Sequence, residues 1–367
     1  MRSLSDTLQR LERLRARTGQ FARQQGADPA GGALTSFTGF GSNPGALGAK
    51  LHVPDLMVGK PPVVVVLHGC TQTADAYDQG SGWSKLADEQ GFIVLYPEQA
   101  RANNGNLCFN WFVPEDSRRG SGELASIHQM IETVITRHDA DPKRVYITGL
   151  SAGGAMANAM LAAYPEMFAG GAIIAGLPFA TAATVPEAFD RMRGHGLPSE
   201  QELQRRLNDA SDHQGPWPTV AVWHGTADST VAEANAQAIL AQWRGVHGVA
   251  TDAAHQDKVA GHDRIVWTDA RGRSLLQYYR IGGMGHGTPV DATTGMEKPG
   301  PYMLDIGLSS TRMMAQSWGL MPDGIKAEVG SRRAASKQMP PDARTAHAAG
   351  SIQGLIEGAL RSAGLMR

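Results

Sequence analysis

The chain has 367 residues, of which 42% are hydrophobic and 19% charged, and its formal net charge is −1 at pH 7. That length accommodates one large α/β domain with extensions, and the near-neutral balance gives no electrostatic case for a nucleic acid partner. Two cysteines are too few for a zinc site or a disulfide scaffold. Neither a metal nor a cofactor is expected.

No apolar run approaches the roughly eighteen residues of a membrane span. Residues 1–25 are polar and arginine-rich, without the apolar core of a secretory signal, which predicts a cytoplasmic globular protein. Within residues 1–32, Leu4, Leu8, Leu11 and Leu14 fall at helical spacing among arginines, and Gln24–Gly32 reads as a linker. Such an amphipathic helix packs on its own domain or on a partner subunit, which leaves a homo-oligomer open. Binding to a membrane surface is the rival reading.

A catalytic domain is expected over residues 33–320. Leu34–Phe40 and Ala46–Val53 are short extended stretches around a Gly/Asn/Pro turn. Gly39, Gly41 and Gly45 do not match G-x-G-x-x-G, so no dinucleotide site is read there. Pro62–Leu67 and Phe92–Tyr96 are continuous apolar runs, as expected of strands buried on both faces of a parallel sheet. Ser84–Gln90 reads as a short helix, and Glu123–His138 carries Leu124, Ile127, Ile131, Val134 and Ile135 at helical spacing. Further strands are expected at Val145–Thr148, Gly171–Ala175, Thr219–His224 and Ser274–Ile281. The last is preceded by Ile265–Thr268 across a hairpin turn at Ala270–Arg273. Residues 176–217 interrupt the pattern with charge and helix formers and read as a cap-like insert. Gly307–Trp318 reads as a closing helix. Residues 321–367 form a polar tail whose final segment places Ile352, Leu355, Ile356 and Leu360 on one face. Strands alternating with helices predict an α/β fold of the hydrolase type, a mostly parallel, doubly wound sheet with helices on both faces.

The chemistry concentrates at Gly149-Leu-Ser-Ala-Gly153. A strand precedes this G-x-S-x-G elbow and a helix-forming run follows it, which is the context the motif requires. Ser151 would stand clear of the backbone at a helix N-terminus that favours an anion. A serine hydroxyl needs a base to become a nucleophile, and on this fold the acid and histidine follow in chain order. Asp228, after the strand Thr219–His224, and His286, after the last strand, fill those places. Asp291 comes after the histidine, His262 sits beside charged neighbours, and His224 at a strand end suits a hydrogen-bonded core residue. The amides of Ala152 and Cys70 are the expected oxyanion donors. Cys70 and Cys108 both follow strands. They form either a bridge closing a loop of about 38 residues or a pair of buried thiols. Trp111 is a candidate apolar wall of a substrate cleft, with an ordinary core tryptophan as its rival.

Six motifs in order then carry a resemblance: Leu67-His-Gly-Cys-Thr-Gln72, Tyr96-Pro-Glu-Gln99, Cys108-Phe-Asn-Trp-Phe112, Gly149–Gly154, His224-Gly-Thr-Ala-Asp228 and Gly285-His286. Over residues 35–320 or so, the sequence resembles the poly(3-hydroxybutyrate) depolymerase family of esterases, which includes feruloyl and acetylxylan esterase relatives. The resemblance implies an α/β-hydrolase fold, a Ser151–Asp228–His286 triad, an oxyanion hole using Cys70 and a carboxylic ester substrate. Short-chain hydroxyalkanoate esters or oligomers are the expected substrates, with feruloyl or acetylxylan-type esters as the alternative. Exported members make an extracellular location the alternative to the cytoplasm. A non-catalytic binding protein on the same fold is the rival from another class.

Overall fold

The computed structural model describes residues 34–321. The N-terminal helix and linker expected over 1–32, and the tail and amphipathic segment expected after 321, lie outside the described residues. The chain enters through two antiparallel strands, β1 (Thr35–Ser36) and β2 (Gly48–His52), and then β3 (Val63–Leu67). Two helices, α1 (Ala74–Ser81) and α2 (Trp83–Gln90), lead to β4 (Ile93–Glu98). Next come α3 (Gly122–His138), β5 (Val145–Leu150), α4 (Ala152–Ala163) and β6 (Gly170–Ile174). The insert holds α5 (Val185–Met192) and α6 (Glu200–Asn208), and is followed by β7 (Thr219–Gly225) and α7 (Ala234–His247). The last part contains β8 (Ala254–Val259), β9 (His262–Thr268), β10 (Ser274–Ile281), β11 (Thr288–Val290), β12 (Met303–Asp305) and α8 (Ser310–Ser317).

Ten strands form one sheet in the order β1-β2-β4-β3-β5-β6-β7-β10-β9-β8. The run from β4 to β10 is parallel, and the outer pairs on both sides are antiparallel. The sequence of β3 explains how both faces are covered. Val63, Val65 and Leu67 join a core with α3, α4 and α7, whereas Val64 and Val66 join another with α1, α2 and α8. Alternating side chains of a strand point to opposite faces, so a strand apolar at every position must be covered twice. All five β3 residues are fully buried. In a parallel sheet the carboxyl ends of the strands share one edge, and the loops leaving β3, β5, β7 and β10 therefore gather there.

Several elements went unread in the sequence, among them helices α1 and α7 and strands β8, β11 and β12. Helix α1 carries Asp75, Asp78 and Gly80 and lacks apolar periodicity; buried Asp78 instead accepts from the Ser84 amide at 2.9 Å and its hydroxyl at 2.6 Å. Helix α7 is alanine-rich, which weakens any one face. Strand β8, His255-Gln-Asp-Lys258 at its centre, is polar because it forms the outer edge of the sheet. The closing helix starts three residues later than expected, at Ser310, where the Ser309 side chain caps it. Trp318 beyond it stacks on Trp83 and Tyr146, with ring centroids 5.8 and 4.9 Å away.

Candidate active site

Ser151 occupies the turn between β5 and α4 at φ 57° and ψ −118°, a conformation costly for a residue with a Cβ. The flanking glycines make the turn feasible. A Cβ on Gly149 would lie 2.4 Å from the Gly153 carbonyl oxygen, and one on Gly153 would lie 2.4 Å from the oxygens of both Leu67 and His68. The Ser151 amide donates to Ile174 at 2.9 Å, tying the elbow to β6.

The loops after β7 and β10 are stitched together by backbone. Thr226 donates to Ile281 at 3.0 Å and Ala227 to Met284 at 2.9 Å. Gly225 permits this approach, because a Cβ there would sit 2.2 Å from the Met284 oxygen. The stitching brings Asp228 and His286, 58 residues apart, into contact, with His286 Nδ1 2.7 Å from Asp228 Oδ2. The other carboxylate oxygen accepts from the amides of Thr230 at 2.8 Å and Val231 at 2.9 Å. Burial by itself would raise the Asp228 pKa. The hydrogen bond and charge of His286, helped by the Val231 amide and His224, outweigh burial and hold the carboxyl below its ordinary value. An ionised Asp228 fixes the proton of His286 on Nδ1 and leaves Nε2 free as a base.

His224 is buried, with Nε2 2.8 Å from the Val231 carbonyl, as a hydrogen-bonded strand-end histidine should be. It also stands 3.7 Å from Asp228 Oδ2. Burial pushes its pKa down, so it stays neutral beside the Asp228–His286 pair.

The loop after β3 carries Cys70. Cys70 and Cys108 are joined in a disulfide that closes a 38-residue separation. Among the described residues, no acceptor takes the amide of Cys70 or that of Ala152. Both are therefore available to a ligand, at the end of the sheet where Ser151 lies.

Ser151, His286 and Cys70 line a single pocket with Gly69, Gln72 and Leu150; Met192, Thr230 and Tyr302 complete it. Met192 comes from the 176–217 insert. The insert is anchored there by the Ala232 amide, which donates to Met192 at 2.8 Å, and by Asn235, which donates to Arg191 at 2.7 Å. Trp111 is not part of this wall. It is buried in the core on the α3 face, edge-on to Phe112 at 5.6 Å. Gln72 lay inside a motif quoted from the sequence and Thr230 two residues beyond another, and neither carried a role there. Met192 and Tyr302 had no local signal beyond the Pro-Gly-Pro turn preceding Tyr302. A larger cleft of about 510 Å³ lies around Arg119, Glu166 and His213 and contains none of these residues. No group of three or more His, Cys, Asp or Glu among the described residues is placed to hold a metal ion. No helix among them is long and apolar enough to cross a membrane.

Comparison with known proteins finds esterases. Residues 48–265 match the family described as esterase PHB depolymerase. Poly(3-hydroxyalkanoate) depolymerase C of Paucimonas lemoignei is 43% identical over 297 residues, which cover 79% of this chain and 70% of that protein. Acetylxylan esterase A of Emericella nidulans is 34% identical over 272 residues, covering 71% and 86% respectively. Among solved structures, an acetyl xylan esterase from Aspergillus awamori superposes with a TM-score of 0.66 at 27% identity. That match covers 72% of this chain and 98% of the other. With the mostly parallel sheet, this likeness makes the fold that of the α/β-hydrolases.

Proposed function

Because the chain belongs to the esterase PHB depolymerase family and is a carboxylic-ester hydrolase, we propose that it cleaves short-chain hydroxyalkanoate esters or oligomers through a Ser151–His286–Asp228 triad. The observation that carries this reading is the 2.7 Å His286–Asp228 contact in the pocket where Ser151 stands on its strained elbow. Ser151 Oγ attacks the ester carbonyl while His286 Nε2 takes its proton. The Cys70 and Ala152 amides hold the oxyanion, and loss of one such donor typically costs about 2.7–4 kcal/mol in the barrier. His286 then protonates the departing alcohol, and an acyl-enzyme forms on Ser151. Water activated by the same imidazole releases the acid and restores the serine.

The hydroxyalkanoate preference is supported by the greater identity to the depolymerase than to the acetylxylan esterase. The second reading, an acetylxylan or feruloyl-type ester, is supported by the superposition on the acetyl xylan esterase over 98% of that chain. The Cys70–Cys108 bridge favours an oxidising compartment, and so the extracellular location over the cytoplasm.

The test is hydrolysis by wild type and Ser151→Ala of p-nitrophenyl butyrate, 3-hydroxybutyrate trimer and methyl ferulate, with fluorophosphonate labelling of both proteins. Trimer cleavage and labelling that vanish in the variant are expected. Preference for ferulate would move the substrate to the second reading, and activity surviving in Ser151→Ala would remove the triad.

A further inference from the structure

Tyr302 carries a side chain where its backbone favours none. Its turn is closed by the Met303 amide, which donates to the Gly300 carbonyl at 3.0 Å, so Pro301 and Tyr302 are the two central residues. Proline followed by a residue at φ 63° is the type II pattern, whose second central position belongs to glycine. A bulky residue there is an outlier that persists only when its surroundings fix it. Here they fix it at both ends. The Tyr302 carbonyl accepts from the Thr288 amide at 2.7 Å, and a Cβ on Gly287 would lie 2.7 Å from that oxygen. The hydroxyl bonds Thr71, whose own hydroxyl donates to the Cys70 carbonyl at 2.6 Å. The ring stands edge-on to His286, with 6.3 Å between centroids. It therefore reaches from the loop after β3 to the loop after β10.

The space this ring borders is small. Ser151 is 8% exposed, and the pocket that reaches it holds about 20 Å³, room for one water. Even an acetyl group is larger, so part of the lining yields when an ester binds. The lining residues differ in how readily they do so. Leu150 is fully buried in the core with α1, α2 and α8, and Gln72 Oε1 is held by the Gly69 amide at 2.9 Å. Met192 is half-buried, and its unbranched side chain rotates aside at little cost. Tyr302 presents a rigid ring fixed at both ends.

We propose that Tyr302 determines size specificity: a small acyl or alcohol group enters this pocket by displacing Met192, whereas a long one meets the fixed ring of Tyr302 and is excluded. The strained backbone is retained because glycine, which the turn favours, would leave the pocket open. The limit applies only to the group inside the pocket, which suits an oligomer of short units whose remaining chain lies outside. This inference rests on the ester-hydrolase reading above.

The experiment measures kcat/KM for p-nitrophenyl hexanoate against p-nitrophenyl acetate, and for hexyl acetate against methyl acetate. The two pairs cover both sides of the ester carbonyl. Tyr302→Gly removes the ring and suits the turn, and Tyr302→Asn removes it with the other residue at ease at positive φ. Wild type is expected to disfavour the long ester in at least one pair. Both variants should raise that long-to-short ratio roughly 10- to 100-fold, the scale on which an apolar pocket discriminates methylenes. A ring that merely supports the turn would slow both members of a pair together, and ratios unchanged in both pairs overturn the proposal. A wild type that cleaves long and short esters alike in both pairs overturns it without any variant. Failure of the ester-hydrolase reading shows elsewhere, as acetate hydrolysis that persists in Ser151→Ala.

Discussion

His68 Nδ1 lies 2.8 Å from the carbonyl oxygen of Gly69, while its Nε2 accepts the Gln99 amide at 3.1 Å. Because Nε2 accepts, Nδ1 carries the proton and donates to Gly69. Burial pushes the pKa of His68 down, so the ring stays neutral and keeps this tautomer. The Gly69 carbonyl and the Cys70 N–H belong to one planar trans peptide, so pinning the first aims the second in the opposite direction. His68 is thus a positioning residue for the proposed oxyanion donor. His68→Leu is expected to lower kcat by roughly 10- to 100-fold, short of the loss of a whole donor, with KM little changed. Steady-state kinetics on p-nitrophenyl butyrate decides it; an unaltered kcat in a folded variant would mean that the backbone amide of Gln72, which donates to the same Gly69 carbonyl at 3.3 Å, holds the peptide without His68.

Asp228 is expected to govern turnover without governing folding. In Asp228→Asn the side-chain oxygen can still accept from the Thr230 and Val231 amides, which keeps the turn. The new NH2 would face His286 Nδ1, forcing the proton onto Nε2 and removing the base. A loss in kcat of about 10³–10⁴-fold, with a melting temperature close to wild type, is the expected result. Turnover within tenfold of wild type would take Asp228 out of the triad.

The parts of the site legible in the sequence are those whose physics is local. Gly149 and Gly153 could be assigned because the elbow excludes a Cβ on either side of Ser151, and the 2.4 Å approaches are that exclusion. Asp228 and His286 followed from chain order on an alternating sheet. Met192 and Tyr302 were not legible, because nothing near them in sequence says which loop will reach the pocket. Trp111 shows the converse: an aromatic beside a site motif carries no label for wall or core, and packing of the α3 face took it inside. Helix α1 was missed because its buried polar residues, Asp78 above all, obscure the apolar period.

The Cys70–Cys108 bridge separates stability from catalysis. Closing 38 residues removes unfolded-chain entropy worth roughly 3–4 kcal/mol. The Cys108 carbonyl also accepts from Gln99 Nε2 at 3.0 Å, an anchor that survives without the sulfurs. Cys108→Ser, or reduction with dithiothreitol, should therefore lower the melting temperature markedly and kcat by a smaller factor. Melting curves and rates measured with and without reductant test this. A melt indifferent to reductant would show that the bridge contributes nothing to stability.

Glu123 makes stability fall with rising pH. Fully buried at the start of α3, it accepts from the Asn110 amide at 2.9 Å and from Gln99 Nε2 at 2.5 Å. Burial dominates those two donors and raises its pKa from 4.5 to about 8. The folded state therefore prefers the neutral carboxyl. Its contribution is fully present below about pH 4.5, where the unfolded chain is also protonated, and is lost as pH rises toward 8. Each pH unit across that window weighs at most about 1.4 kcal/mol. Glu297, raised to about 7 by burial, adds a second decline over part of the same range. In Glu123→Gln the oxygen can serve Asn110, but the NH2 then meets the Gln99 donor, so the variant should be less stable than wild type at pH 5. Having no titration, it should also show the flatter curve, with the gap narrowing toward pH 8.5. Melting temperatures of both proteins across that range provide the check, and parallel curves would show that Glu123 does not titrate there.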